Sequence, residues 1–435
     1  MRILVILPFL PYPLTSGGHQ ATFRTIDYIR EYHNITLCCP EASAKDIIEI
    51  ESLWPDVKIR VARVIDNNII ERKNKSFNIF SGYGMMEVLK RFRYFVCNRH
   101  ISHSDVSKID ENFFLKHGAT LYNTNFYPID PSFIVKISDL VERTSFDIIQ
   151  VEFPDLLGLV EILPMQAKKI FVHHEIRFVR MEREMKTFEE SGAYERYLIE
   201  IAKRQEIMLL SQYDLIITLS ELDRITLSKF LPMKKIVTSS FPITDHSLKR
   251  DRNVNHPYTF NEKIVFLGGS GHYPNFDAVN WFLNEIWEEL LNFDSNLTFY
   301  IVGKWAEEAM SLFRNKPKVC FTGYVDDLAK VMEGAIMVVP LRIGSGIRSK
   351  IFDAISLHTP IVSTSIGKEG LPLEDGKECF VADDPVSFVW KIRGIIERGE
   401  IDEMCSKALK KIETFYSKEV CGSTRNEIYC CLTAT

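Results

Sequence analysis

Short apolar runs alternate with longer amphipathic segments along most of this chain. The spacing predicts helices over Gln20–Tyr32 and over Arg183–Leu210, the latter as one long helix or two, and Ser220 is expected to cap another helix. The apolar runs of the first half predict strands at Ile3–Leu7, Ile35–Cys38, Val57–Val64, Asp147–Glu152, Lys169–His174 and Leu215–Leu219. This alternation predicts a parallel sheet covered by helices on both faces.

A polar segment without periodicity, residues 245–261, interrupts the pattern, which then begins again. The second series of strands is expected at Lys263–Leu267, Leu297–Val302, Val319–Thr322, Ala335–Val339, Pro360–Ser363 and Glu378–Val381. The chain is therefore predicted to be an α/β protein with two tandem, Rossmann-like, doubly wound parallel-sheet domains and a cleft between them. The predicted boundaries are 1–244 and 262–412, with 245–261 as the linker.

Size and composition agree with this organisation. The chain has 435 residues, too many for one ordinary core, and 46% hydrophobic with 26% charged residues is a normal globular balance. A net charge of -5 argues against a nucleic-acid-binding protein. The nine cysteines show no metal-ligand spacing, which favours free thiols in a reducing compartment. The first apolar run is short, and no run reaches about 18 residues, so a cytoplasmic location is expected.

One region departs from the alternation. Residues 67–127 carry few strand signals and include the basic and aromatic segment 88–96. Such a segment is typical of a short helix with its aromatic face packed inward. The alternative is peripheral contact with a membrane surface, at its inner face, or with an acceptor molecule.

The stretch 340–354, PLRIGSGIRSKIFDA, follows the apolar run Ala335–Val339 and is the most informative part of the chain. Its loop residues are Gly344, Ser345 and Gly346, and its charged residues are Arg348, Lys350 and Asp353. A strand, a glycine loop and a helix N-terminus form an anion site, because backbone N–H groups can approach a phosphate and the helix dipole attracts it. The alternative is an ordinary surface turn between a strand and a helix.

Two further glycine turns follow predicted strands. Gly268-Gly269-Ser270-Gly271 lacks the GxGxxG spacing and the acidic residue of a nicotinamide-dinucleotide site, so a dehydrogenase is disfavoured. Gly17 and Gly18 follow the first strand and are expected to shape the wall of the cleft.

The second half of the chain resembles the nucleotide-sugar domain of group 1 glycosyltransferases, family 4 in the carbohydrate classification, which have the GT-B fold. The matching motifs, in the family's order, include Val265-Phe266-Leu267-Gly268, Tyr273-Pro274-Asn275, Ile301-Val302-Gly303, Phe321-Thr322-Gly323-Tyr324-Val325, Gly344-Ser345-Gly346, Pro360-Ile361-Val362-Ser363-Thr364 and Gly367-Lys368-Glu369-Gly370-Leu371. The first domain matches more loosely. Many relatives carry Glu immediately before the glycine loop, where this chain has Ile343, as in a Gly-Ser-Gly subgroup.

The resemblance implies a donor site in the second domain. Gly344, Ser345 and Gly346 are expected to approach the donor diphosphate, with Lys350 and Arg348 as counter-charges. Asp353 stands where the family bonds the ribose, and backbone at Gly323, Tyr324 and Val325 is expected to hold the base. Glu369 is expected to touch hydroxyl groups of the donor sugar. Gly269 and Asn275 lie after the first strand of the second domain, where many relatives have Arg and Lys. Neither a metal nor a cofactor is expected.

Candidate catalytic groups lie at strand ends of the first domain. Glu152 occupies a position where relatives often have His, and it is a candidate base; the alternative is a carboxylate paired with a nearby Arg. His174 is the preferred cleft histidine and His173 the second choice, although a structural role is an equal alternative.

The predicted function is transfer of a sugar from a UDP-sugar or GDP-sugar to a glycan or lipid-linked glycan, in cell-surface polysaccharide synthesis. The resemblance implies a hexosyltransferase that retains the anomeric configuration, with an acceptor-side first domain on which the last helix, 413–435, packs back. Two alternatives are a GT-B nucleotide-sugar epimerase and a degenerate protein that only binds sugar nucleotides.

Overall fold

The computed structural model describes residues 1–65, 119–122, 129–188, 191–243, 258–398 and 401–434. The described residues form two separate parallel sheets, each with helices on both faces, which confirms the predicted α/β fold. Predicted segment 88–96 and most of 245–261 lie outside the described residues. Across the described part of the chain, no helix has the length and apolar character needed to cross a membrane.

The first sheet has seven strands in the order β3-β2-β1-β4-β5-β6-β7. Its strands are β1 Arg2–Ile6, β2 Asn34–Ser43, β3 Lys58–Ile65, β4 Ile148–Glu152, β5 Lys168–His173, β6 Leu215–Thr218 and β7 Ile236–Thr238. Its helices are Gly17–Ile29, Ala44–Leu53, Pro131–Arg143, Arg177–Met185, Ala193–Leu210 and Glu221–Ser228, with 3-10 turns at Thr120–Tyr122 and Pro154–Ile162. Parallel pairing of β1 with β4 and of β4 with β5 brings the carboxyl ends of all three to one edge.

The second sheet has six strands in the order β10-β9-β8-β11-β12-β13. Its strands are β8 Lys263–Leu267, β9 Thr298–Val302, β10 Val319–Gly323, β11 Ala335–Val339, β12 Ile361–Ser363 and β13 Phe380–Val381. Its helices, followed by the two at the end of the chain, are Tyr273–Glu285, Trp287–Phe293, Glu307–Ser311, Leu328–Met332, Ser349–Ser356, Pro385–Arg398, Asp402–Tyr416 and Lys418–Thr433.

Local sequence explains where these elements begin and end. All five residues of β4 and of β11 are buried, as expected for strands covered on both faces. The Ser220 hydroxyl accepts the N–H of Asp223 and caps the helix Glu221–Ser228, as predicted. The segment Arg183–Leu210 belongs to two helices, and the second begins after Gly192, whose N–H donates to the Glu195 carboxylate.

The last helix, Lys418–Thr433, crosses back to the first domain and lies against the helix Gly17–Ile29. A Cβ at Gly422 would lie 2.2 Å from the Tyr28 ring, so only glycine permits this close approach. Arg425, which is 1% exposed, donates to the side chain and the carbonyl oxygen of Ser239. The end of the chain therefore takes part in the core of the first domain.

Candidate active site

The carboxyl edges of the two sheets face each other, and glycines stand where the domains touch. A Cβ at Gly17 would lie 2.1 Å from the hydroxyl oxygen of Ser349, at the start of a helix in the second domain. A Cβ at Gly346 would lie 2.2 Å from the carbonyl oxygen of His174. A larger residue at Gly346 would push against the backbone of the first domain, whereas one at Gly17 would require the Ser349 side chain to turn away.

The glycine loop is held by both domains. Gly344 and Gly346 have φ angles of 126° and 77°, in the region that favours glycine. Between them, the Ser345 hydroxyl donates to the Asp223 carboxylate at 3.0 Å and accepts the N–H of Ile176 at 3.0 Å, both in the first domain. The Ser345 side chain is therefore engaged across the domain boundary, while the loop backbone follows the course expected for an anion site.

Two cations lie side by side at the exit of this loop. Arg348 stands at the start of the helix Ser349–Ser356, and its guanidinium donates to the carbonyl oxygens of Ser345 and Gly346. Lys350 Nζ donates to Asn275 Oδ1 at 2.8 Å and lies 4.2 Å from the Phe266 ring centroid.

Burial changes the electrostatics of both cations. It lowers the pKa of the Arg348 guanidinium, and burial together with the Arg348 charge lowers the pKa of the Lys350 ammonium to about 7. Among the described residues, Arg348 Nη2 has no hydrogen-bond partner. An anion bound between these groups would offset the cost of burying two like charges.

The turn after β8 positions the side chain of Asn275, to which Lys350 donates. Asn275 Nδ2 donates to the carbonyl oxygen of Gly269 at 3.0 Å, which leaves its Oδ1 facing Lys350. A Cβ at Gly269 would lie 2.6 Å from the carbonyl oxygen of Lys304. The structure thus brings together three of the predicted donor residues, Gly269, Asn275 and Lys350.

The remaining predicted donor residues lie around this centre. Asp353 is 7% exposed and lies within electrostatic reach of Arg24, in the first domain. Both Glu369 carboxylate oxygens accept from the Arg183 guanidinium, which also donates to the carbonyl oxygen of Gly344. At the end of β10 and just after it lie the three residues expected to hold the base, Gly323, Tyr324 and Val325, and the Tyr324 side chain is 68% exposed.

On the first-domain side, the structure brings Glu152 and His174 together. Glu152 Oε2 lies 2.7 Å from His174 Nε2, and Glu152 Oε1 accepts from the Gln150 amide at 2.6 Å. The Phe153 ring stacks on the His174 imidazole with centroids 3.8 Å apart. A Cβ at Gly18 would lie 3.2 Å from the Phe153 ring, so this glycine lies close to that side chain.

His173 lies in a different environment. It is 1% exposed, and its Nε2 lies 2.7 Å from Glu206 Oε1 in the interior of the first domain. Glu206 also accepts the N–H groups of Arg177 and Phe178, at the start of the following helix. The structure does not bring His173 to the Glu152–His174 pair.

Several charged residues at the domain boundary were not predicted from the sequence. Arg180 donates to Glu175 at 2.9 Å and to Glu184 at 2.9 Å, and its Nη1 lies 3.2 Å from His272 Nε2 of the second domain. Burial alone would raise the pKa of the Glu175 carboxyl, but the Arg180 charge lowers it to about 2. Burial and the same charge lower the pKa of His272 to about 3. The spacing of Arg180 and Glu184, four residues apart on a helix, is the only sequence signal for this cluster.

A cavity of about 530 Å³ lies beside these groups, at the same edge of the first sheet. Its wall consists of Pro8, Pro40, Thr120, Ile129, Asp130, Phe133, Asp155, Leu156, Arg177, Arg180, Gly271 and Tyr273. Arg177 Nη2 donates to Asp155 at 2.7 Å, whereas Arg177 Nε has no partner among the described residues. Within the described ranges, no three His, Cys, Asp or Glu side chains cluster as metal ligands would.

Comparison with known proteins supports the expected family for the second domain. Residues 261–398 match the family model described as Glycosyl transferases group 1. An uncharacterized 44.6 kDa protein in the cps region of Klebsiella pneumoniae is 26% identical over 150 residues. That alignment covers 31% of this chain and 39% of the relative, so the chain spans well under half of that protein's length.

Solved structures match the whole fold. A TarM variant from S. aureus, in complex with Fondaparinux, alpha-GlcNAc-glycerol and UDP, has a TM-score of 0.63 at 12% identity, covering 98% of this chain and 99% of that one. Anabaena HepE in complex with UDP-glucose gives 0.61 at 12% identity, covering 99% and 100%. Sucrose-phosphate synthase from Thermosynechococcus elongatus gives 0.64 at 11% identity, covering 100% and 99%. The chain has the GT-B fold, as the resemblance implied.

Proposed function

We propose that the protein transfers a hexose from a nucleoside diphosphate sugar to a glycan or lipid-linked glycan acceptor. The observation that carries this proposal is the half-buried pair Arg348 and Lys350 beside the glycine loop, at the N-terminus of the helix Ser349–Ser356. The pair lies in the region that matches the group 1 glycosyltransferase family. Retention of the anomeric configuration and a role in cell-surface polysaccharide synthesis are part of the proposal, and the cps-region relative supports the latter.

The donor site would act on the leaving group. As the bond between sugar and phosphate breaks, the nucleoside diphosphate gains negative charge, and fixed cations with backbone N–H groups stabilise that charge. Arg348, Lys350 and the helix N-terminus supply such groups without a metal ion. Asp353 would bond the ribose, and the backbone of residues 323–325 would hold the base. UDP is the preferred nucleotide because structures of similar fold, the TarM variant and HepE, are complexes with UDP and UDP-glucose.

The acceptor would occupy the cavity lined by Asp155, Arg177 and Tyr273. Carboxylate and guanidinium groups bond sugar hydroxyls, and aromatic and proline side chains cover the apolar faces of sugar rings. Asp155 and Arg177, which line the cavity, lie three residues after Glu152 and His174 in the chain. We assign Glu152 and His174 to contact with the acceptor hydroxyl or the transferred sugar.

A thermal-shift titration with UDP, GDP and their sugar derivatives tests the donor site. A ligand that binds the folded chain raises its melting temperature. We expect a shift with one nucleotide, its loss in Lys350→Ala, and its retention in Lys330→Ala, a control lysine with an 82% exposed side chain in the same domain. The absence of any shift at millimolar nucleotide would contradict the proposal.

One specific observation favours a second candidate, a degenerate protein that binds sugar nucleotides without transferring the sugar. Glu369 and the Ser345 hydroxyl are both engaged by the first domain, through Arg183 and Asp223. Release of nucleoside diphosphate from the bound donor separates the two functions. Binding without release, in the presence of a mixture of polysaccharide fragments, would favour the degenerate protein.

A further inference from the structure

A chain of buried hydrogen bonds joins the end of the polypeptide to the candidate catalytic pair. The Tyr429 hydroxyl, in the helix Lys418–Thr433, donates to Gln150 Oε1 at 2.6 Å. Gln150 Nε2 then donates to Glu152 Oε1 at 2.6 Å, and Glu152 Oε2 lies 2.7 Å from His174 Nε2. Tyr429 and Gln150 are fully buried and Glu152 is 3% exposed, so water does not compete for these bonds.

The direction of these hydrogen bonds follows from the first donor, the Tyr429 hydroxyl. A tyrosine hydroxyl that donates to Gln150 fixes the amide so that its oxygen faces Tyr429 and its NH₂ group faces Glu152. A carboxylate has only acceptor oxygens, so Glu152 can accept from the amide on one oxygen and from His174 Nε2–H on the other. In that tautomer the imidazole carries its proton on Nε2, and Nδ1 keeps a free lone pair.

We propose that Tyr429 is a positioning residue that acts through Gln150 and Glu152 to fix the tautomer and orientation of His174. The use of His174 in sugar transfer rests on the proposed function. The relay, by which we mean the hydrogen-bonded series Tyr429–Gln150–Glu152–His174, rests on the hydrogen bonds themselves. The stacked Phe153 ring holds the plane of the imidazole, and the relay decides which nitrogen faces Glu152. Among the described residues, no group hydrogen-bonds to His174 Nδ1, which is therefore able to accept a hydrogen bond from a hydroxyl.

The first experiment measures the tautomer in the full-length chain. The ¹⁵N NMR shifts of labelled histidine at about pH 8.5 distinguish Nε2–H from Nδ1–H imidazole, and His174→Gln assigns the signal. We expect the Nε2–H form in the wild type and a mixture of both forms in Tyr429→Phe. Without the Tyr429 hydroxyl the Gln150 amide can turn its oxygen toward Glu152, and the resulting repulsion would move the carboxylate away from His174 Nε2. Gln150→Met breaks the relay at its next member and is expected to give the same mixture.

Tyr213→Phe is the matched control. Tyr213 is also fully buried in the first domain, and its hydroxyl donates to the carbonyl oxygen of Leu157 at 2.9 Å. This variant loses a comparable hydrogen bond but is expected to leave the His174 tautomer unchanged. An unchanged tautomer in both Tyr429→Phe and Gln150→Met would overturn the proposal, as would the same change in Tyr213→Phe.

Turnover supplies an independent readout. With the nucleotide sugar that gives the largest thermal shift as probe, Tyr429→Phe is expected to lower kcat for nucleoside diphosphate release about 3- to 10-fold, the equivalent of one hydrogen bond, without changing the donor KM. A rise in donor KM at unchanged kcat would contradict a positioning role. A tautomer change in a chain that binds no nucleotide would uphold the relay and reject the proposed function, so the two failures are distinguishable.

Discussion

Replacing Lys350 by Met is expected to stabilise the protein while abolishing nucleotide binding. Methionine keeps the length and most of the apolar surface of the lysine side chain but carries no charge. Lys350 is half-buried beside Arg348, and loss of hydration together with that neighbouring charge lowers its pKa from 10.5 to about 7. A binding residue that is unfavourable for folding is the expected signature of a site built for an anion.

The magnitude follows from the pKa change. A shift from 10.5 to about 7 disfavours the folded state by about 5 kcal/mol at pH 6, about 4 kcal/mol at pH 7 and about 2 kcal/mol at pH 9. Between pH 7 and 10.5 the unfolded chain binds more protons than the folded chain, so this group makes stability rise with pH. The lost bond to Asn275 costs about 2 kcal/mol in return. Lys350→Met is therefore expected to gain about 3 kcal/mol at pH 6 and nothing at pH 9.

Urea unfolding of wild type and Lys350→Met at pH 6, 7 and 9, with UDP titrations of both, measures the two effects. The control is Lys391→Met, since Lys391 has an 18% exposed side chain but is neutralised by Asp375 at 3.0 Å. This control is expected to be no more stable than wild type at any pH. A Lys350→Met chain that is less stable than wild type at pH 6 would refute the reasoning, because the lysine would then be a stabilising residue.

Three further predictions concern the same boundary between the domains. A bound diphosphate is expected to raise the pKa of Lys350 from about 7, so nucleotide binding should take up close to one proton at pH 8 and almost none at pH 6. Calorimetry in buffers of different ionisation enthalpy measures this proton uptake. Gly346→Ala is expected to lower the free energy of unfolding by about 2 kcal/mol, since φ at this position is 77° and the added Cβ would meet the His174 carbonyl oxygen. Gly158→Ala is the control, because a Cβ there would meet nothing within 4 Å. Arg177→Ala is expected to raise the acceptor KM about tenfold at unchanged donor affinity, and an equal effect from the exposed Arg204→Ala would contradict the acceptor assignment.

The fold was predictable because parallel strands covered on both faces are nearly continuous apolar runs. Ala335–Val339 is such a run, and its predicted and observed bounds agree. The helix Ala44–Leu53 was not predicted, because only one of its residues, Ile50, is buried and the periodic apolar signal is correspondingly weak. Its start is nevertheless encoded locally, since the Ser43 hydroxyl accepts the N–H of Asp46.

The site was predictable only where its residues follow one another in sequence. The glycine loop, Arg348 and Lys350 lie in one short stretch of the sequence, so an anion site could be predicted from that stretch alone. Arg183, which bonds Glu369 across the boundary, lies 186 residues away from its partner, and nothing in its surroundings marks it. His173 and His174 are neighbours in the chain, yet His173 is the last residue of β5 and is buried against Glu206, whereas His174 lies just beyond the strand beside Glu152.

The loop that follows β11 is therefore a property of both domains. Its backbone comes from the second domain, but Ile176, Asp223 and Arg183 of the first domain hold Ser345 and Gly344 in place. Any movement that separates the domains must break these bonds and release the loop. Conversely, an anion that orders the loop must favour the closed arrangement of the domains, because the coupling between anion binding and closure is reciprocal. Closure also brings the Gly346 backbone against the His174 carbonyl oxygen. Donor binding and the placement of His174 are for this reason expected to be two consequences of one closed state.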